Sequence, residues 1–178
     1  MNNYYQRTSE IIKKILYITI ASVTEDGKPW NTPVYSACDS DLNFYWASDK
    51  NSHHSQNIRT TKNVFLVIYD STVPEGTGEG VYCQAVASEL NNQDEAMAAL
   101  KILDGRVGKT KVRDFADYSG DACLRVYKAT PKLVWMNGDE KDDNGDYVRD
   151  IRIAVSMSEL KRLLRPQKTI RLKRVGRI

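Results

Sequence analysis

Cysteine is scarce in this chain. Cys38, Cys83 and Cys123 are an odd, widely spaced set, which argues against a disulfide framework. None belongs to a CxxC pair, so a zinc ribbon is not expected and a reducing, cytoplasmic setting is. Histidine is scarcer still, with only the adjacent His53 and His54. Neighbouring side chains project in different directions and no third ligand stands at suitable spacing, so no metal site is predicted. No stretch approaches the roughly 18 apolar residues that a spanning helix needs. The N-terminal apolar residues are interrupted by Lys13 and Lys14, and no small-residue cleavage site follows, so no signal peptide is expected.

Familiar catalytic signatures are missing too. Gly76-Thr77-Gly78-Glu79-Gly80 lacks GxGxxG spacing and opens onto a strand pattern, which excludes a Rossmann turn. Gly108-Lys109-Thr110 resembles the end of a P-loop, but Leu103 occupies the place of its first glycine. No GxSxG elbow and no Cys/His pair in a recognisable context is present, so hydrolytic machinery is absent and no catalytic residue is assigned. Acidic residues vanish from Lys161 onward, where eight Lys and Arg stand alone. Residues 1–160 hold the other 18 basic residues against 23 acidic ones, about −5 in all. The basic end reads as a solvated or dimer-arm segment. It has no nucleic-acid motif, and nucleic acid is not an expected partner.

What is present is a series of short β patterns. Helical spacing covers Ser9 to Leu16, followed by strands at Leu16–Thr24 and Trp30–Cys38 about the turn Glu25-Asp26-Gly27-Lys28, where Asp-Gly supplies positive φ angles. Further strands are predicted at Leu42–Ser48, Asn63–Asp70, Gly80–Leu90, Ala122–Ala129, Lys132–Asn137 and Tyr147–Ser156. Asn63–Asp70 reads as a central strand covered on both faces. Helices are predicted at Ser52–Thr60, Gln93–Leu103 and Ser158–Leu164, the last ended by Pro166. Gly138–Asp146 reads as an acidic loop. The pattern implies a mainly β (α+β) protein, a small antiparallel barrel with peripheral helices. One domain over residues 1–165 and a basic tail at 166–178 are expected.

The informative unit is Asn43–Asp70. Ser52, His53 and His54 precede or open a helix whose first-turn N–H groups attract anions, with Lys50 and Arg59 nearby. A phosphate suits such a place. Taken alone, the segment reads at least as readily as a solvated loop with an ordinary N-cap. Taken singly, Trp30, Trp46 and Trp135 read as core or interface residues, Arg152 as a surface ion-pair partner and Cys83 as a small buried residue.

Four pieces in order resemble the pyridoxamine 5'-phosphate oxidase-like superfamily of FMN-binding split β-barrels, from about Ile11 to Met157. They are Gly27-Lys28-Pro29-Trp30-Asn31-Thr32-Pro33-Val34-Tyr35; Phe44-Tyr45-Trp46-Ala47-Ser48 with Ser52-His53-His54 and Asn57-Ile58; Gly80–Leu90; and Lys132-Leu133-Val134-Trp135 with Val148–Val155. The resemblance implies a homodimer with FMN between subunits. It implies flavin contacts from Thr32, Pro33 and Val34 and from Trp46, Ala47 and Ser48. It implies phosphate contacts from Ser52, His53 and His54 beside Asn57, and an approach by Trp135 and Arg152 from near the C-terminus. Arg and Lys stand at the phosphate clamp of the oxidase proper, where this chain has His53 and His54. Phosphate beside a histidine favours its charged form, and His54 is the expected clamp. The implied activity is flavin-dependent oxidoreduction of a small molecule with NAD(P)H as electron source. A non-catalytic flavin- or haem-binding or haem-degrading protein and an F420-dependent reductase are the alternatives on this fold.

Overall fold

The computed structural model describes residues 4–106, 108 and 113–165. The basic tail at 166–178 lies outside the described residues. Helix α1 (Tyr4–Lys14) leads into strands β1 (Tyr17–Val23), β2 (Pro29–Tyr35), β3 (Ala37–Cys38) and β4 (Phe44–Asp49). Helix α2 (His53–Thr61) and strands β5 (Asn63–Tyr69) and β6 (Gly80–Glu89) follow. The chain then forms α3 (Gln93–Gly105), a 3₁₀ turn (Phe115–Tyr118), β7 (Leu124–Lys141), β8 (Tyr147–Ala154) and α4 (Met157–Leu164).

The described strands form one antiparallel sheet in the order β2-β1-β5-β6-β7-β4-β3, and β8 adds to the far half of β7. The two end strands of that order, β2 and β3, are consecutive in the chain and separated only by Ser36. The sheet therefore curls until its ends meet, and β2 lies against β4 without pairing to it. This is an antiparallel split barrel with peripheral helices, as the patterning predicts. Alternation fills it: Ile18 and Ile20 of β1, Leu66 and Ile68 of β5, Val81 and Cys83 of β6 and Met136 of β7 all point inward. A second cluster packs α3 residues Ala96, Ala99, Leu100 and Leu103 on Tyr45 and Val126.

Several elements differ from the sequence reading, each for a local reason. The predicted strand Trp30–Cys38 divides at Ser36, where the chain crosses from one end of the sheet to the other. The two strands predicted at Ala122–Ala129 and Lys132–Asn137 are one, because a register shift opposite Gln84 and Ala85 admits Pro131 and its missing N–H without ending β7. Much of the expected acidic loop is strand, reduced to a turn where Asp142 accepts from the amides of Asn144 and Asp146 at 2.9 Å each. Helix α1 starts earlier than predicted and ends at Lys14. Strand β5 is central, yet only one face is covered in the single chain: Val64, Leu66 and Ile68 are buried while Phe65 and Tyr69 are exposed.

The short β3–β4 hairpin is held by one side chain. The Asp39 carboxylate accepts from the Asp41 and Asn43 amides (2.8 Å each), from Asn43 Nδ2 and from the Tyr45 hydroxyl (2.9 Å each). Burial, and then the acceptor role of Asp39, push the Tyr45 phenol above its ordinary value. This arrangement keeps Leu42 at φ +66, a left-handed conformation, with its side chain fully in the core. Asp39→Ala is expected to destabilise the protein by about 2–4 kcal/mol, since several charge-assisted bonds go at once. Urea unfolding that moves by less than half a kcal/mol (roughly the level of a surface substitution) would remove Asp39 from this role.

Candidate functional site

The split between β2 and β4 leaves the outer edge of β2 facing β4, whose own second edge is free only from Trp46 to Asp49, because β3 pairs it at Phe44 and Tyr45. Unpaired strand backbone is a ready hydrogen-bonding surface for a ligand edge. Thr32 is half-buried at this edge, Val34 is buried opposite Ile18, and Pro33 faces outward opposite Thr19. Across the split, Trp46 is fully buried and stacks on Tyr127 at 5.5 Å and 14°, while Ala47 and Ser48 are half-buried. Among the described residues five buried polar side-chain atoms have no hydrogen-bond partner, and Ser36 Oγ and Trp46 Nε1 are two of them.

Helix α2 begins just beyond β4. Ser52 is its N-cap, but its hydroxyl caps no helix amide. It contacts the Asp49 carbonyl and Ser55 Oγ at 2.9 Å each and the His54 ring at 3.3 Å. The first turn therefore presents its N–H groups without a side-chain cap. The two histidines behave differently. His53 is exposed and its ring lies 4.2 Å from the Trp30 ring, whose Nε1–H donates to Thr32 Oγ1 at 2.9 Å. His53, Trp30 and Thr32 thus join the helix start to β2. A polar cavity of about 540 Å³, lined also by Asp26, Gln56 and Asn57, opens beside His53.

His54 is buried, and burial pushes its imidazole pKa below the ordinary value. The exposed neighbour is better placed to meet an anion than the residue singled out from sequence. Asn57 is also inside, where its Nδ2–H donates to Ser22 Oγ at 2.9 Å and ties α2 to β1. Lys50 and Arg59 point elsewhere: the ammonium lies 3.2 Å from the Asp121 carbonyl, and the guanidinium donates to the Lys50 carbonyl at 2.6 Å.

A lowered histidine pKa has a definite sign for stability. The folded chain binds fewer protons at His54 than the unfolded chain does, so stability is full above the unfolded value of about 6.5. It is lost as the pH falls through the folded value. His54→Gln is expected to flatten this acid limb of a stability–pH profile below pH ~6.5. An unchanged acid limb in the variant would rule out His54 as its source.

Trp135 and Arg152 lie on the other, outward face of the sheet. Trp135 is near-parallel to Phe65 at 6.3 Å, and the Arg152 guanidinium lies 3.8 Å from the centre of the Tyr82 ring. Within one chain the residues named from sequence therefore fall into a group at the split and α2 and a group on the outer face. Trp30, read from the sequence as a core or interface residue, is exposed in the single chain, while Tyr82, Tyr127 and Ser55 were not singled out. Only the alternation that puts Tyr82 on the same face as Gln84 and Val86 hinted at any of them.

A sequence model of the pyridoxamine 5'-phosphate oxidase family matches residues 6–138, three-quarters of the chain. No curated protein sequence matches. Solved structures share the fold at low identity. A candidate 5-nitroimidazole antibiotic resistance protein from Bacteroides thetaiotaomicron has a TM-score of 0.62 at 17% identity, over 76% of this chain and 84% of its own. A candidate pyridoxamine 5'-phosphate oxidase from Listeria innocua has a TM-score of 0.57 at 15% identity, over 73% and 94%. A haem-binding protein from Mycobacterium smegmatis has a TM-score of 0.61 at 16% identity, over 86% of this chain but only 60% of its own. Among the described residues, no helix is long and apolar enough to cross a membrane.

Proposed function

Because the chain belongs to the pyridoxamine 5'-phosphate oxidase family, we propose that it is an FMN-binding homodimer working as a small-molecule oxidoreductase. The observation that carries this reading is the uncapped α2 N-terminus opening beside His53, Trp30 and Thr32 at the edge of the split. The residues present fit the cofactor. First-turn amides and the His53 ring suit a phosphate, and the free edge of β2 with the Trp46–Asp49 part of β4 suits the polar edge of a flat ring. FMN, when bound, supplies the hydride and electron transfer that no side-chain constellation here offers. The chain's part is to bind and orient. Ser52, His53 and the α2 amides hold the phosphate. Thr32, Pro33 and Val34 support the ring from β2, and Trp46, Ala47 and Ser48 support it from β4. Trp135 and Arg152 come from a second copy, because they sit on the opposite face of the sheet. NAD(P)H is the proposed electron source in a cytoplasmic setting. Titrating apo-protein with FMN while following flavin fluorescence tests the reading. Saturation at micromolar protein is expected. No saturable change would sink it, and a Soret band or F420 absorbance in the purified protein would transfer the site to those ligands.

A further inference from the structure

Arg152 is an exposed arginine whose side chain makes no ion pair or hydrogen bond among the described residues; its guanidinium lies over the Tyr82 ring, 3.8 Å from the ring centre. The sheet explains how the two meet. Tyr82 stands opposite Trp135, and one row away Asn137 stands opposite Arg152. The Tyr82 ring folds back over Gly80, where there is no side chain in its path. A Cβ on Gly80 would come within 3.0 Å of Tyr82 Oη and 3.1 Å of Cε2 and Cζ. Gly80 is pinned in turn, its amide donating to Asn137 Oδ1 at 2.6 Å. Phe65, tilted against Tyr82 at 6.5 Å, lies beside the same ring on the outer face.

A guanidinium lying over an aromatic ring is fixed in plane while its N–H edge stays free to donate. We propose that Tyr82 is a positioning residue that holds Arg152 flat and aims its donors at the electron-rich edge of the flavin ring, with Gly80 as the gap that lets Tyr82 lie there. This rests on the flavin reading above. The flavin in question is the one in the cleft of the second copy, because Arg152 and the split lie in different clusters of one chain, and equal losses for FMN and riboflavin mark the ring and not the phosphate as its target.

The test combines flavin binding with a ligand-free signal. In wild type and in Tyr82→Phe, the Arg152 δ-methylene protons are expected to be shifted upfield by the ring current, and in Tyr82→Leu to return to ordinary positions. Tyr82→Leu and Arg152→Gln should each weaken FMN and riboflavin alike, roughly three- to tenfold. The double variant should add little to either, and Tyr82→Phe should bind as wild type does. Gly80→Ala, which crowds the ring, should fall between wild type and Tyr82→Leu. The proposal is overturned if wild type shows no upfield shift, if Tyr82→Phe is as damaging as Tyr82→Leu, or if the two single losses add in full. If wild type binds no flavin at all, the flavin reading falls, and with it the stated target of Arg152. The proton shifts then still decide whether Tyr82 holds Arg152.

Discussion

His53→Ala is expected to weaken FMN binding by about 1.5–3 kcal/mol, the range for a hydrogen bond to a charged group. That is roughly a ten- to hundredfold rise in Kd. Riboflavin, which has no phosphate, should hardly notice the change. The expectation follows from position. His53 is exposed at the first turn of α2 and steadied by the Trp30 ring, so its imidazole faces the same space as the uncapped amides. His54→Ala should act differently. His54 is buried against Ser52, so its loss perturbs the start of α2 and weakens FMN and riboflavin together while lowering stability. Fluorescence titrations with both flavins separate the two cases. Equal losses for the two flavins in His53→Ala would remove that residue from the phosphate site.

Breaking the proposed dimer should have the second large effect. Phe65 and Leu133 lie in one row of the outer face, on either side of Gln84, and both are exposed in the single chain. Tyr69 and Val86 extend the same apolar surface. A contiguous apolar patch on a soluble chain marks a contact surface. Phe65→Lys with Leu133→Lys places two charges where a partner would exclude water, a penalty of several kcal/mol. Light scattering should then fall from about twice the 20.3 kDa chain mass to that mass itself. FMN binding should be lost with it, because Trp135 and Arg152 would no longer reach the cleft of another copy. The far-UV spectrum should persist, since neither residue belongs to the barrel interior. Wild type that already runs near the single-chain mass, with or without FMN, would contradict the homodimer.

Local signals in the chain were enough for the barrel. Alternation in β1 and β6, and Asp-Gly at the first hairpin, are consequences of a few adjacent residues, so they survive translation into one dimension. The unit from β4 through α2 was legible for the same reason, because an N-cap and a polar first turn are neighbours in sequence. The two faces of β5 were not legible. Its run of Val, Phe, Leu, Val and Ile gives no alternation, and whether an apolar face meets a core or a partner depends on what lies beyond the strand.

The sequence by itself determined the strand and helix series, the antiparallel class, the family and the helix start where an anion fits. Those depend on contacts between near neighbours and on the spacing of motifs. The tertiary structure alone decided that His53 faces out and His54 in, because that turns on how α2 is rotated against β1 by the Asn57–Ser22 hydrogen bond. It alone decided that β2 and β4 stand edge to edge without pairing, that β7 runs past Pro131, and that Arg152 rests on Tyr82. Each of these joins residues tens of positions apart, and strand register, which no local pattern encodes, sets which of them meet.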